Sequence, residues 1–210
     1  MNAMVLDESP RHPLVAGHAT RPLTLAVLHP KGGVGRSTSS WALGSEFALR
    51  GYSVRIEDLD QAKHLTNVVQ RRGLLMPGLM IGDDGPADFV LLDTAPEADT
   101  ARGVAYLRRA DCVLVPVKGP EEASVQAIAL VLEWLQAAPN CQLLGFLPTM
   151  ATLRWAESRL WMDELQRLAA RHRTRVFSPI PARASLAAWR LDGHPYAAVA
   201  EEILSAVRTS

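Results

Sequence analysis

His29-Pro30-Lys31-Gly32-Gly33-Val34-Gly35-Arg36-Ser37-Thr38 follows an apolar, β-rich run at Leu23–His29 and opens a helical pattern over residues 36–50. Its glycines let the backbone turn so tightly that successive N–H groups point inward, and the first turn of the helix adds unpaired N–H groups of its own. A strand–turn–helix junction of this kind is a cradle for phosphate oxygens. The candidates are Gly32, Gly33, Val34, Gly35, Arg36, Ser37 and Thr38, with Lys31 at the head. A hydroxyl at Ser37 or Thr38 falls where a phosphate-bound Mg²⁺ finds a protein ligand.

Outward from this loop, short apolar runs alternate with longer helical patterns. The runs are Leu23–His29, Ser53–Glu57, Phe89–Leu92, Cys112–Val117, Gln142–Leu147 and Arg175–Phe177. They lack in/out alternation, as expected of parallel strands covered by helices on both faces. Helical patterns fall at 36–50, 62–71, 98–109, 121–138, 154–172 and 196–208, with Gly51 stopping the first and Pro139 following the fourth. The alternation predicts an α/β fold: a doubly wound, mostly parallel sheet with helices on both faces and right-handed crossovers. Residues 1–20 hold Pro10, Pro13 and Gly17 without periodicity, and read as a mobile tail ahead of a single domain over 21–210.

Composition points the same way. A chain of 210 residues, 48% apolar, with 22 basic and 22 acidic residues, holds material for a real core and is not a disordered chain. Cys112 and Cys141 are too few for a disulfide framework or a four-thiolate zinc site, and read as buried small hydrophobes. The six histidines show no paired metal-ligand spacing. No apolar run approaches the ~20 residues of a bilayer span, and the N-terminus lacks a secretory pattern, so a cytoplasmic protein is expected. Zero net charge conceals an asymmetry. From Glu57 to Asp99 nine acidic residues stand against three basic ones, whereas from Arg154 to Arg190 eight arginines stand against three acidic residues. The basic stretch reads either as a polyanion surface or as a solvated arginine face on the helix at 154–172.

The loop resembles the deviant Walker A motif, KGGxGK[ST], of the ParA/MinD family of P-loop ATPases. Lys31 matches the family's signature lysine, which in relatives reaches across a nucleotide-sandwich dimer to the partner's phosphates. One position departs: Arg36 stands where the family has its P-loop lysine. A lysine ammonium is a compact point charge, whereas a guanidinium is longer, planar and forked. The exchange therefore bears on transition-state geometry, and so on hydrolysis, more than on charge neutralisation and binding.

Two further segments are similar to the family's. Ser53–Gln61 resembles its VLLIDxDPQ segment, although Gln61 follows Asp60 without the usual Pro. The match puts Asp60 where the attacking water is oriented, so that Lys31 and Asp60 are the implied catalytic residues, and puts Asp58 near the metal. Phe89–Pro96 is similar to the Walker B and switch segment, hhhhDTPP, and implies that Asp93 holds Mg²⁺ through water, with Ser37 beside it. Carboxylates at the C-terminal ends of parallel strands do point into the crevice where ligands bind. Ala110–Val117 is similar to AADxVLxPV, Leu143–Met150 to hLGhLxxM, and Ile180–Arg183 to the IPRN turn, which places Met150, Pro181 and Ala182 at an adenine wall.

The resemblance spans about residues 23–196. It implies a ParA-like ATPase of DNA segregation, in plasmid or chromosome partitioning, with ATP/ADP and Mg²⁺ as cofactors and weak Mg²⁺-dependent ATP hydrolysis. Implied partners are a second copy on ATP binding, non-specific DNA at the nucleoid, and a ParB-like or small centromere-binding protein that stimulates hydrolysis. Arg154, Arg159, Arg171, Arg183 and Arg190 are the DNA-contact candidates, with Arg167, Arg173 and Arg175 nearby. The stretch 196–208 carries two Glu and one Arg, without the bulky face or basic stripe of a membrane anchor, so no membrane partner is expected. The alternative is a nucleotide-binding scaffold whose hydrolysis is impaired by Arg36. ATP against GTP stays open at this point.

Overall fold

The run Leu-Thr-Leu-Ala-Val becomes the central strand of the sheet in a computed structural model that describes residues 21–82, 84–96, 99–152 and 156–208. This strand, β1 (Leu23–Val27), lies between β4 (Phe89–Asp93) and β5 (Cys112–Lys118), parallel to both. Beyond β4 come β2 (Val54–Asp58) and β3 (Leu79–Ile81), and beyond β5 come β6 (Gln142–Thr149) and β7 (Arg175–Val176). The order β3-β2-β4-β1-β5-β6-β7 is parallel at every pairing, so the sheet is wholly rather than mostly parallel.

Every crossover except the one from β3 to β4 carries a helix. These are α1 (Arg36–Leu49), α2 (His64–Arg72), α3 (Thr100–Arg108), α4 (Glu122–Gln126), α5 (Ile128–Gln136) and α6 (Ala156–Arg171), with α7 (Ala184–Ala187) and α8 (Ala197–Arg208) after the last strand. The structure departs from the expected elements in three places, one of them the short helix α7, where the sequence shows no helical pattern. The helix expected over 121–138 is two, parted at Ala127. A seventh strand, β3, follows Pro77 and Gly78; it exists because the open edge of β2 reaches it, beginning with Val54 N–H donating to the Gly78 carbonyl at 2.7 Å.

Successive residues of a strand feed opposite faces. Leu25, Ile56 and Leu91 pack with Phe47 of α1, Leu65 of α2, Leu186 of α7 and Ile203 of α8. Ala26, Val90 and Leu92 pack with Leu107 of α3, Trp134 of α5, and Trp161 and Leu165 of α6. Cys112 and Cys141 are free and buried, and burial pushes both thiols up, Cys141 to about 12, so they are the inert apolar residues expected. Because the strands are parallel, their C-terminal ends share one edge. The order turns around at β1, where such sheets open a crevice.

Candidate functional site

At that edge β1 gives way to the glycine loop. Gly33 and Gly35 have φ of 73° and 90°, left-handed values that L side chains rarely adopt, and Gly35 is the residue from which α1 starts. No side chain caps α1. Open space lies beside Gly32 and Gly33, with nothing within 4 Å of where a Cβ would stand. The loop is nonetheless braced from below, because the Thr149 hydroxyl at the end of β6 donates to the Val34 carbonyl at 2.8 Å.

A second brace comes from His29, which is fully buried. Its Nδ1 accepts the Lys31 N–H at 3.0 Å and its Nε2 lies 2.9 Å from the Ser124 carbonyl. A nitrogen that accepts is bare and one that faces a carbonyl carries hydrogen, so the ring is the neutral Nε2–H tautomer. Burial pushes its pKa down to about 4, against the opposing pull of the Ser124 carbonyl. The Lys31 ammonium does not hang free: it is paired with Glu121, just ahead of α4.

Arg36 is buried, and its guanidinium grips the backbone around it. Nε donates to the Thr94 carbonyl at 3.0 Å, and Nη1 to the carbonyls of His29, at 2.9 Å, and Lys31. Burial lowers its pKa while the charges of Asp93 and Asp60 raise it, and a guanidinium stays charged throughout. Three of its five N–H groups are thus engaged, one on Thr94 at the end of β4 and two on the loop head at His29 and Lys31, and Nη2 has no protein acceptor among the described residues. The arginine is a structural strut as well as a charge.

The two strand-end carboxylates are neighbours in register, Asp58 of β2 opposite Asp93 of β4, and both are buried. Asp58 is saturated. Its Oδ1 accepts the Asp60 N–H at 3.2 Å, and its Oδ2 the Thr66 N–H at 2.9 Å and the Thr66 hydroxyl at 2.8 Å, so it fastens the start of α2 to the strand end. Asp93 accepts the Ser40 hydroxyl on Oδ1 at 3.1 Å, whereas its Oδ2 is buried without a hydrogen-bond partner. Burial pushes Asp93 up to about 7, with the charge of Asp58 acting in the same direction and the hydroxyls of Ser37 and Ser40 opposing it. An orphaned carboxylate oxygen beside the Ser37 hydroxyl is a donor set that suits Mg²⁺. Asp60 is half-buried, with Oδ1 accepting the Ala62 N–H at 2.9 Å.

Beside the loop lies a pocket of about 440 Å³, lined by Gly35 and Thr38 at one end and by Met150, Pro181, Ala182 and Leu186 among others. The residues expected at an adenine wall therefore come together. They are held by parallel bridging of Ala151 with Pro181, with Ala151 N–H donating to the Ile180 carbonyl at 3.0 Å. Tyr196, on the approach to α8, closes the floor through its hydroxyl, 2.9 Å from Ser39 Oγ.

The arginines do not come together. Arg159 and Arg171 lie exposed on α6, which packs on the same sheet face as α3 and α5, whereas Arg183 and Arg190 lie exposed around α7, which packs on the other. Arg183 Nη1 donates to the Asp192 carbonyl at 3.2 Å, and Arg190 pairs loosely with Asp192 at 3.5 Å. Arg72 of α2 joins this second group by donating to the Ala188 carbonyl at 2.6 Å. Arg154, and the tail at 1–20, lie outside the described residues.

Sequence reasoning missed Arg72, His29, Glu121 and Ser40. Only Ser40 left a signal, standing one helical turn beyond Arg36, whose carbonyl its hydroxyl also reaches at 3.2 Å. Among the described residues no group of His, Cys, Asp and Glu forms a metal cluster, and no helix is long and apolar enough to cross a membrane.

A family model described as the CobQ/CobB/MinD/ParA nucleotide binding domain matches residues 25–196. No curated protein sequence matches the chain. Solved structures do share its fold. An McdA variant from Cyanothece in complex with ATP superposes with a TM-score of 0.73 at 16% identity, covering 90% of this chain and 97% of that one. A plasmid partition protein from Borrelia burgdorferi gives 0.68 at 15% identity, covering 89% and 97%. Cobyrinic acid a,c-diamide synthase from Mycobacterium smegmatis, with bound ADP and magnesium, gives 0.64 at 21% identity, covering 86% and 92%.

Proposed function

Since the chain belongs to the CobQ/CobB/MinD/ParA nucleotide-binding domain family, we propose that it is a ParA-like ATPase of DNA segregation, binding MgATP at Gly32–Thr38. The observation that carries this reading is the continuity of the site. Gly35 and Thr38 belong both to the phosphate loop and to the 440 Å³ pocket, so phosphates in the cradle leave a base against Met150, Pro181 and Ala182. Ser37 and Asp93 would hold Mg²⁺, which supplies charge neutralisation at the phosphates. Arg36 adds its positive charge beside the phosphates while Nε and Nη1 keep the loop in shape. Asp60 orients the attacking water, and Asp58 keeps that segment in place by fixing the start of α2.

In this reading ATP brings two copies together with Lys31 acting across the dimer, the dimer binds DNA without regard to sequence, and a ParB-like or small centromere-binding partner stimulates the hydrolysis that resets it. Two basic surfaces are available: Arg159 and Arg171 on one sheet face, Arg183 and Arg190 with Arg72 on the other. Binding through phosphate contacts weakens steeply with salt, so charge removal at the surface used lowers the salt slope and removal at the other leaves it unchanged. The test is a paired titration of ATP and ADP with Mg²⁺, reading sedimentation state and phosphate release on the same samples with and without DNA. ATP-dependent dimers with slow, DNA-stimulated release bear the reading out; failure to bind either nucleotide sinks it.

A second reading, a nucleotide-locked scaffold, draws on the Arg36 strut, since a guanidinium tied to three carbonyls is not the mobile charge that follows a moving phosphoryl group. Arg36→Lys separates the two. A rise in phosphate release identifies Arg36 as the brake, and no rise shows that it is not the defect.

A further inference from the structure

We propose that Glu121 is an internal rival of the nucleotide's phosphates for the Lys31 ammonium, and thereby sets how far the loop prefers a triphosphate to a diphosphate. The inference rests on the reading of the loop as a nucleotide site. Lys31 heads the loop, and Glu121 reaches it from the far end of β5. A carboxylate placed here opposes anion binding in two ways. It occupies the cation at the head of the cradle, and it adds negative charge near the phosphates.

The contact is built by structure around it rather than by two wandering side chains. Gly119 N–H donates to the Thr149 carbonyl at 3.2 Å, and Thr149 in turn bonds Val34 of the loop. Gly119 lies so close to the Trp161 indole that a Cβ would stand 2.3 Å from it, which pins the segment against α6. Lys118 N–H donates to Ser124 Oγ at 3.1 Å, and the Ser124 carbonyl receives His29, which orients the Lys31 peptide. The segment carrying Glu121 and the loop head carrying Lys31 are therefore tied together at several points.

Lys118 makes the arrangement an exchange. Its Nζ lies 3.5 Å from Glu121 Oε2, an oxygen that is buried without a hydrogen-bond partner among the described residues. When phosphates, whether in the same copy's loop or across a dimer in the partner's, draw Lys31 away, Glu121 keeps a cation and its charge is not stranded. A triphosphate carries more charge than a diphosphate, and so draws Lys31 off Glu121 more effectively.

The test is a double-mutant cycle on the full chain, measuring MgATP and MgADP affinity by calorimetry for the wild type, Glu121→Gln, Lys31→Ala and the double variant. Glu121→Gln is expected to tighten MgATP about fivefold and MgADP about twofold or less, and the gain is expected to vanish when Lys31 is Ala. A gain of equal size in both backgrounds, or none in either, overturns the proposal. A nucleotide-free readout keeps its failure distinct from that of the nucleotide site. The chain has three lysines, Lys31, Lys63 and Lys118, so acetic anhydride labelling read by mass spectrometry resolves each, with Lys63 as the reference. Faster labelling of Lys31 in Glu121→Gln supports the contact, and equal labelling overturns it whether or not the wild type binds nucleotide. A wild type that binds neither nucleotide defeats the reading of the loop instead.

Discussion

Asp58 and Asp93 lie opposite one another on adjacent strands, both buried, both at the edge where the loop sits, and they are put to opposite uses. Asp58 spends its oxygens on two backbone N–H groups and a hydroxyl, and so holds α2 to the sheet. Asp93 keeps one oxygen empty in the interior, and burial drives it up to about 7. The difference teaches that burial at a strand end does not by itself mark a ligand site. Unsatisfied capacity is what separates the two, because a folded chain leaves a buried carboxylate oxygen unpaired only at a cost of roughly 1–3 kcal/mol.

The comparison breaks or sharpens first on pH. Between about pH 4 and 7 folded Asp93 keeps a proton that the unfolded chain has lost, so its contribution to stability falls as pH rises, by about 4 kcal/mol across that window. His29 works the other way. Held neutral down to about 4, it loses about 3 kcal/mol of stability as pH falls from 6.5, where the unfolded ring takes up a proton. In the wild type the two slopes oppose each other. Urea denaturation without Mg²⁺ is expected to uncover each alone: Asp93→Asn grows less stable toward acid, and His29→Asn grows less stable toward neutrality. Identical slopes in the three proteins would show that neither group titrates as its surroundings imply.

A smaller effect concerns the empty oxygen. Asp93→Asn is expected to weaken Mg²⁺-dependent ATP binding about a hundredfold while leaving Mg²⁺-free ADP binding alone. Calorimetry with Mg²⁺ and with a chelator reads the two, and equal losses in both would make Asp93 a structural residue like its neighbour. The smallest expected effect sharpens the other half. Asp58→Asn is expected to cost about 2 kcal/mol in urea denaturation, chiefly by loosening α2, and to leave the Mg²⁺ dependence as it is. A lost Mg²⁺ dependence would return Asp58 to the metal.

Much of this was legible in the chain. The loop, the strand-end carboxylates and the wall at Met150 and Pro181 sit in local patterns that a strand or helix start turns into geometry. The divided use of Asp58 and Asp93 was not, because it turns on Thr66 and Ser40, whose hydroxyls carry no mark of the carboxylate they meet. The sequence placed a helix over 154–172 but not the side of the sheet on which it lies, so Arg159 and Arg183 read as one basic stretch and lie on opposite faces. The strand Leu79–Ile81 escaped because three residues carry no periodicity, and only the open edge of β2 makes them a strand. Glu121 escaped because a contact across 90 residues between a lysine and a glutamate looks like any other pair of surface charges until the segment between β5 and α4 is seen to be pinned.

The sheet ends on one side in a strand of three residues and on the other in a strand of two. Edges so short offer a passing chain too few backbone groups to pair with, and adding strand to strand is thereby discouraged. For copies of this protein that meet, the same shortness disfavours joining edge to edge into a continuous sheet. The hazard of open-ended strand addition that any open sheet carries at its outer strands is limited here by strand length alone.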